Sequence, residues 1–198
     1  MNKESHKCLI NFYSKLESTD TKWKEIQAST NNVLKVLKHR IEQLRHVRSS
    51  EVDNAELCKV EELRERLVAK ILAGIEDEVA LVHEAIAKLN NYSQDLKQRL
   101  ANLETTLNGS SLSDERMKEL VEGTGRRPRL DLLIEWAIDA CDFYHNLYLS
   151  LKASLKDLDY SDEGCVDKLS ASLVEPQLAR EKIDYILTLT QFLASETP

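Results

Sequence analysis

Between residues 5 and 48 an apolar side chain returns at every seventh position: Leu9, Leu16, Trp23, Leu37 and Leu44, with Thr30 as the polar gap. Phe12, Ile26, Val33 and Val47 repeat the pattern three positions on, and Leu34 and Ile41 widen the stripe. Strands alternate every second residue, so this period demands a long amphipathic helix that faces other helices. The whole chain holds only five glycines and three prolines, a scarcity typical of long unbroken helices.

The small and polar run RSSEVDNAE (residues 48–56) interrupts this helix. A second helix is predicted from about 55 to 107. Its later half is regular, with Ile75, Val82, Leu89, Leu96 and Leu103 alternating with Val79, Ile86, Leu100 and Leu107. In its earlier half the steps lengthen to four residues through Leu63, Leu67, Ile71 and Ile75, a stutter that locally unwinds a coiled-coil seam. Gly74 lies among Ala69, Ala73 and Ala80. It costs about 1 kcal/mol against alanine in a helix, and close approach of a neighbouring helix is the favoured reason for it.

After the loop NGSSLSD (108–114), Ser113 can cap a short helix to about Val121, and EGTGRRP forms a second loop. Pro128 suits the first turn of a further helix reaching about Leu158, with Asp131 as a first-turn acid. Its stripe runs Leu130, Leu133, Ala137, Cys141, Tyr144, Tyr148, Leu151, Leu155 and Leu158. A weaker helical piece follows at Val166 to Leu173, and Pro176 opens a last helix carrying Ala179, Ile183, Ile186, Leu187, Thr190 and Leu193.

The fold class is all-α: a long antiparallel helical hairpin, coiled-coil-like, with a C-terminal helical portion. Residues 1–107 form the two-helix hairpin, 108–127 a loop, short helix and basic linker, and 128–198 the C-terminal helices packing on the hairpin. Helices of some 40 and 50 residues would extend roughly 60 and 75 Å. A compact domain of this size is only about 35 Å across. The helices must therefore kink or protrude, and stripes that outrun the chain's own core predict a protein–protein interface.

The chain carries 27 basic against 34 acidic side chains, a formal charge of −7. Proteins that neutralise phosphates normally present a basic face, so direct nucleic-acid binding is not expected. The opening MNKESHKCLINFYSKLE lacks a signal-peptide core, and no run of roughly 18 apolar residues could span a bilayer. Intracellular residence without membrane attachment is the expectation, so the acceptor patterns at Asn91 and Asn108 would go unused. Cys8, Cys58, Cys141 and Cys165 lie far apart with no CxxC spacing and read as reduced thiols.

Chemistry is not signalled. There is no phosphate-binding glycine loop and no nucleophile elbow. His83-Glu84 begins like a zinc-protease helix, but Ala87 stands where the second histidine would be needed. His39 and His46 share a helix face without a cysteine or carboxylate to complete a site. The abundant Asp and Glu fit solvation and i,i+4 pairing. Serines before acids in SLSDE and YSDEG are read first as caps and turns, with phosphorylation the alternative. No catalytic residue, cofactor or metal ligand is assigned.

Trp23 falls on the main stripe and is expected in the core. Trp136 sits at a stripe edge, where a tryptophan serves either as core or as an interface anchor. Arg126, Arg127 and Arg129 crowd the N-terminal end of a helix, the wrong end for its dipole. Either they answer acidic groups elsewhere or they form a solvated loop. Candidate partner-binding residues are therefore Arg126, Arg127, Arg129 and Trp136, joined by Tyr144 and Tyr148 from the aromatic series.

The segment LDLLIEWAIDACDFYHNLYLSLKASLKDLDY, through Leu133, Glu135, Trp136, Tyr144, Tyr148, Leu151 and Leu155, resembles the C-terminal signature of the AIRIM family. These are ribosome maturation factors that interact with an AFG-two-type AAA+ ATPase. KIDYILTLTQFLASE, through Ile186, Leu187, Phe192 and Leu193, is similar to that family's last helix, and Trp23 and LRERL (63–67) are further echoes. Tyr160 departs from the pattern, where the family favours tryptophan, and residues 108–127 align poorly.

The resemblance implies a non-enzymatic adaptor without cofactors. It would pair with a CINP-like helical subunit on a hexameric AAA+ ATPase built from two spermatogenesis-associated paralogues. Such an assembly recycles factors from the maturing large ribosomal subunit and acts in protein turnover at replication forks. Its association with pre-ribosomes or chromatin would be indirect, and its location cytoplasmic and nuclear. The alternative is a coiled-coil scaffold or tethering subunit of another intracellular assembly.

Overall fold

The computed structural model describes residues 3–49, 62–109, 118, 121–125 and 127–193. Among them lie five helices and no strand: α1 Lys3–Arg48, α2 Leu63–Asn108, α3 Leu130–Lys156, α4 Cys165–Ala171 and α5 Gln177–Thr190. The all-α class is thus what the molecule adopts, and long α1 and α2 pack against each other. Pro128 lies just ahead of α3 instead of inside its first turn, because the Arg129 carbonyl already accepts the Leu133 amide at 3.1 Å. Pro176 stands at the N-cap of α5, its carbonyl accepting from the Arg180 amide at 2.9 Å. Cys58 and the Ser113 cap lie outside the described residues.

The chain divides into two compact units, each assembled from separate stretches: residues 1–24, 89–149 and 175–198, and residues 25–88 with 150–174. In the first, Leu9, Phe12, Leu16 and Trp23 of α1 are buried with Leu89, Leu96 and Leu103 of α2. Leu133, Ala137, Tyr144, Ile183 and Ile186 complete that core. Lys15 meets Asp95 at 2.5 Å, and Cys8 Sγ meets Thr106 Oγ1 at 3.6 Å. Rising positions on α1 thus face falling positions on α2, an antiparallel pair.

In the second unit Leu34, Leu37, Ile41 and Leu44 are buried with Ile71, Ile75, Val82, Leu151, Leu155, Val166 and Leu169. The end of α1 is closed by Arg64 of α2, whose guanidinium donates to the carbonyls of Val47 at 2.9 Å and Ser49 at 3.2 Å. Those carbonyls lack an intrahelical partner, so a charged donor supplies one. Arg45 secures the segment before α4 by donating to the Tyr160 carbonyl at 3.1 Å and to that of Asp162.

Gly74 is buried in this unit, and a side chain added to it would collide with the guanidinium of Arg40. The nearest body to the glycine is thus a side chain of α1, the end of Arg40. Arg40 also pairs with Glu78 at 3.5 Å.

The α1 stripe does not outrun the core. Its heptad leucines are buried in one unit or the other, and the polar gap at Thr30 is 3% exposed. The C-terminal helices supply the extra apolar surface that a two-helix count leaves out. Apolar surplus lies elsewhere, on Leu63 and Leu67 at the start of α2 and on the outer side of α5.

Candidate functional site

Within the first unit, α5 is fastened to α1 and α3 by a buried polar network. Asp20, on the core side of α1, accepts from the Tyr144 hydroxyl at 2.8 Å, from Lys24 at 2.8 Å and from Arg180. Arg180 also reaches Asp184 through Nε at 3.1 Å and Glu175 at 3.4 Å. Glu175 in turn accepts from the Trp23 indole at 2.6 Å. Three helices and the segment before α5 are thus joined through the Asp20–Arg180 pair, α3 by way of Asp20.

Three groups of this network, Asp20, Tyr144 and Arg180, are shifted away from neutral pH. Burial alone would raise the Asp20 carboxyl, but hydrogen bonds from Arg180, Lys24 and Tyr144 outweigh it and lower the pKa. The Tyr144 hydroxyl is pushed up by burial first and then by the charge of Asp20. Arg180 loses hydration, yet Asp184 and Asp20 raise it further above its already high value. Such a pattern serves to fix a helix, since none of these three is left poised to exchange a proton at neutral pH.

Beside this network α5 lies against α3. Trp136 meets Tyr185 edge to face, centroids 5.7 Å apart at 81°, and Lys182 pairs with Asp139 at 2.6 Å. Edge-to-face pairing sets the positive rim of one ring on the negative face of the other. The outer side of α5 then exposes Leu178 and Tyr185, at 82% and 57%, and Phe192 follows just past the helix end, more than half exposed. On α3, Ile138 and Leu149 are also exposed.

The sequence-predicted contact residues are dispersed, not gathered. Arg126 lies outside the described residues. Arg127 is buried at 2% exposure in a tight loop, its amide donating to Thr124 Oγ1 at 3.0 Å and its carbonyl accepting the Thr124 amide at 2.8 Å. Gly123 enters that loop at φ 76, the left-handed region, where a β-carbon would strike the Arg127 carbonyl. Arg129, just ahead of α3, is exposed and answers Asp131 in the first turn of that helix at 2.7 Å. Tyr144 is wholly buried in the network, Trp136 is covered down to 8%, and half-buried Tyr148 lies tilted over His145 at 6.0 Å.

What the sequence reading misses is the layer over Trp136. Leu178, Tyr185 and Phe192 stand seven residues apart, a second stripe on a helix already read as having one. Asp20 also carried a signal: it occupies the same heptad position as the buried Tyr13, so a charge there needs a buried partner. No cluster of three or more His, Cys, Asp or Glu residues able to hold a metal occurs among the described residues. No described helix is long and apolar enough to cross a membrane. Cys141 is buried and free, its thiol pushed up to about 12 by burial and the charge of Asp142, and at that value it is a packing residue.

These features define a class first: an all-helical protein whose interior charges fasten helices together and whose last helix turns aliphatic and aromatic side chains outward. Comparison with protein families narrows it. The model of the family described as Ribosome biogenesis protein C1orf109-like matches residues 3–196, and the chain belongs to that family. This is the family that the resemblance of the C-terminal helices indicated. No curated protein matches the chain.

Proposed function

We propose that this chain is a non-catalytic adaptor subunit of a hexameric AAA+ ATPase complex in large ribosomal subunit maturation, where it serves the recycling of assembly factors. Family membership supplies ribosome biogenesis as the setting. The observation that carries the adaptor reading is the outward stripe of α5, held rigidly by the Asp20–Arg180–Glu175 network and backed by Trp136. Rigid aromatic and aliphatic side chains on a fixed helix are what a protein contact uses, because little entropy is lost when they are covered. The partners in this reading are the ATPase, formed of spermatogenesis-associated paralogues, and a CINP-like helical subunit, with cytoplasmic and nuclear residence. A role in replication-fork protein turnover belongs to the same proposal.

The test is affinity purification of the tagged full chain from its own cells in mild salt, with mass spectrometry of what accompanies it. A double-ring AAA+ ATPase at comparable abundance is the expected result. Recovery of coiled-coil proteins alone, at every salt concentration tried, would replace the adaptor with a scaffold built on the exposed leucines at the start of α2.

A further inference from the structure

The outer surface of α3 and α5 has a charge pattern as one-sided as its apolar pattern. Over residues 131–149 the sequence places Asp131, Glu135, Asp139 and Asp142, and no lysine or arginine. Asp131 is answered by Arg129 at 2.7 Å and Asp139 by Lys182 at 2.6 Å. Glu135 and Asp142 have no cation partner among the described residues, and both are exposed. They flank exposed Ile138 at i−3 and i+4, on one face of α3.

On α5 both cations are already engaged. Arg180 is held by Asp20, Glu175 and Asp184, and Lys182 by Asp139. Glu181 is exposed and, among the described residues, accepts a neutral hydrogen bond from Gln177 at 2.8 Å and has no cation partner. Glu135 and Asp142 thus border Ile138, Glu181 borders Leu178 and Tyr185 at i+3 and i−4, and no cation among the described residues neutralises these three carboxylates.

We infer that this surface receives an amphipathic helix of another protein with lysine or arginine along its flanks. This inference rests on the adaptor reading and gives its docking face a partner chemistry. Leucines at i, i+3 and i+7 of the incoming helix would cover Leu178 and Tyr185, and its basic flanks would answer Glu135, Asp142 and Glu181. Charges at the rim of such a contact set partner choice and association rate.

The same charges argue against the other occupants. A second copy docking face to face would set Glu135 and Asp142 against their own duplicates. Nucleic-acid phosphate and anionic lipid both carry the sign of these carboxylates.

The experiment places a photo-crosslinking amino acid at position 178 in the full chain, expressed in its own cells, with position 11 on α1 as the exposed control. Adducts are then sequenced by mass spectrometry. The expected adduct is a segment of another protein with leucines at helical spacing and more Lys and Arg than Asp and Glu. In a Glu135→Lys, Asp142→Lys double variant the yield should fall by about tenfold, as for reversed rim charges, with helicity and thermal midpoint unchanged. An adduct to this chain itself, to an acidic or non-helical segment, or to nucleic acid overturns the inference. So does a yield no higher than at position 11, or one insensitive to the charge reversal.

The two proposals fail separately. A basic helix from a protein that is not an ATPase subunit would leave this surface assignment standing and remove the adaptor reading. An AAA+ ATPase that still copurifies in full with the Leu178→Asp, Tyr185→Asp variant would do the reverse.

Discussion

The two units hold their last segments in different ways. In the first, α5 is secured by charges taken out of water: the Asp20 side chain is 5% exposed and that of Arg180 14%. In the second, α4 is tied to α1 by Lys38 and Asp167 at 2.7 Å, with both side chains in solvent at 45% and 62%. Two ion pairs of similar length therefore have very different worth. A buried pair is strongly coupled to the fold because losing one member strands the other without water. An exposed pair gives up little, since water and salt replace either partner.

The difference between the units predicts a graded series of effects. The largest effect is expected from Trp23→Ala, which empties a wholly buried site and removes the indole donor to Glu175. About 4 kcal/mol of stability should be lost, as for other buried tryptophans. Urea unfolding followed by circular dichroism measures it, and a loss near that of a surface substitution would mean that the site collapses around the missing ring.

Asp20→Ala comes next, at about 3 kcal/mol, because Tyr144 loses its acceptor and Arg180 its most buried carboxylate. Both tryptophans belong to the first unit. Their fluorescence should thus register this variant directly.

Acid should reproduce part of that loss. The pKa values of Asp20 and Asp184 are lowered in the folded chain. They therefore contribute stability at neutral pH that disappears as pH falls through and below the usual carboxylate range near 4. Asp20→Asn should flatten this acid limb of the stability profile. An unchanged limb would place the acid sensitivity in other carboxylates.

The smallest effects belong to the second unit. Gly74→Ala should gain up to about 1 kcal/mol of helix propensity if the Arg40 guanidinium swings aside, and a net loss would mean that it cannot. Lys38→Ala should change stability least of all, and less still in 1 M salt. A loss comparable with that of Asp20→Ala would erase the distinction between the units.

Much of this was legible before the fold was known, for reasons that are local. Leu9, Leu16, Trp23, Leu37 and Leu44 declare a helix and its buried face by spacing alone, and all five are buried. Pro128 and Pro176 mark helix starts because proline lacks the amide that a helix interior needs. The candidate contact residues were less legible. Arg127 and Arg129 stand two apart in the same basic run, yet one is buried in a loop and the other pairs at the surface with the first turn of α3. Their spacing says nothing about which way the loop closes, which Gly123 and Thr124 determine.

Residue spacing alone is enough for the helical class, the inner face of each long helix and of α5, and the scarcity of chemistry-bearing motifs, since each follows from residues within a few turns of one another. That Tyr185 covers Trp136, and that Asp20 finds Arg180 across an interval of 160 residues, came from the folded chain alone. Periodicity records that a face must be covered, but the choice of cover is a competition among distant surfaces. Ile183 and Ile186 entered the core, and that left Leu178 and Tyr185 turned toward water.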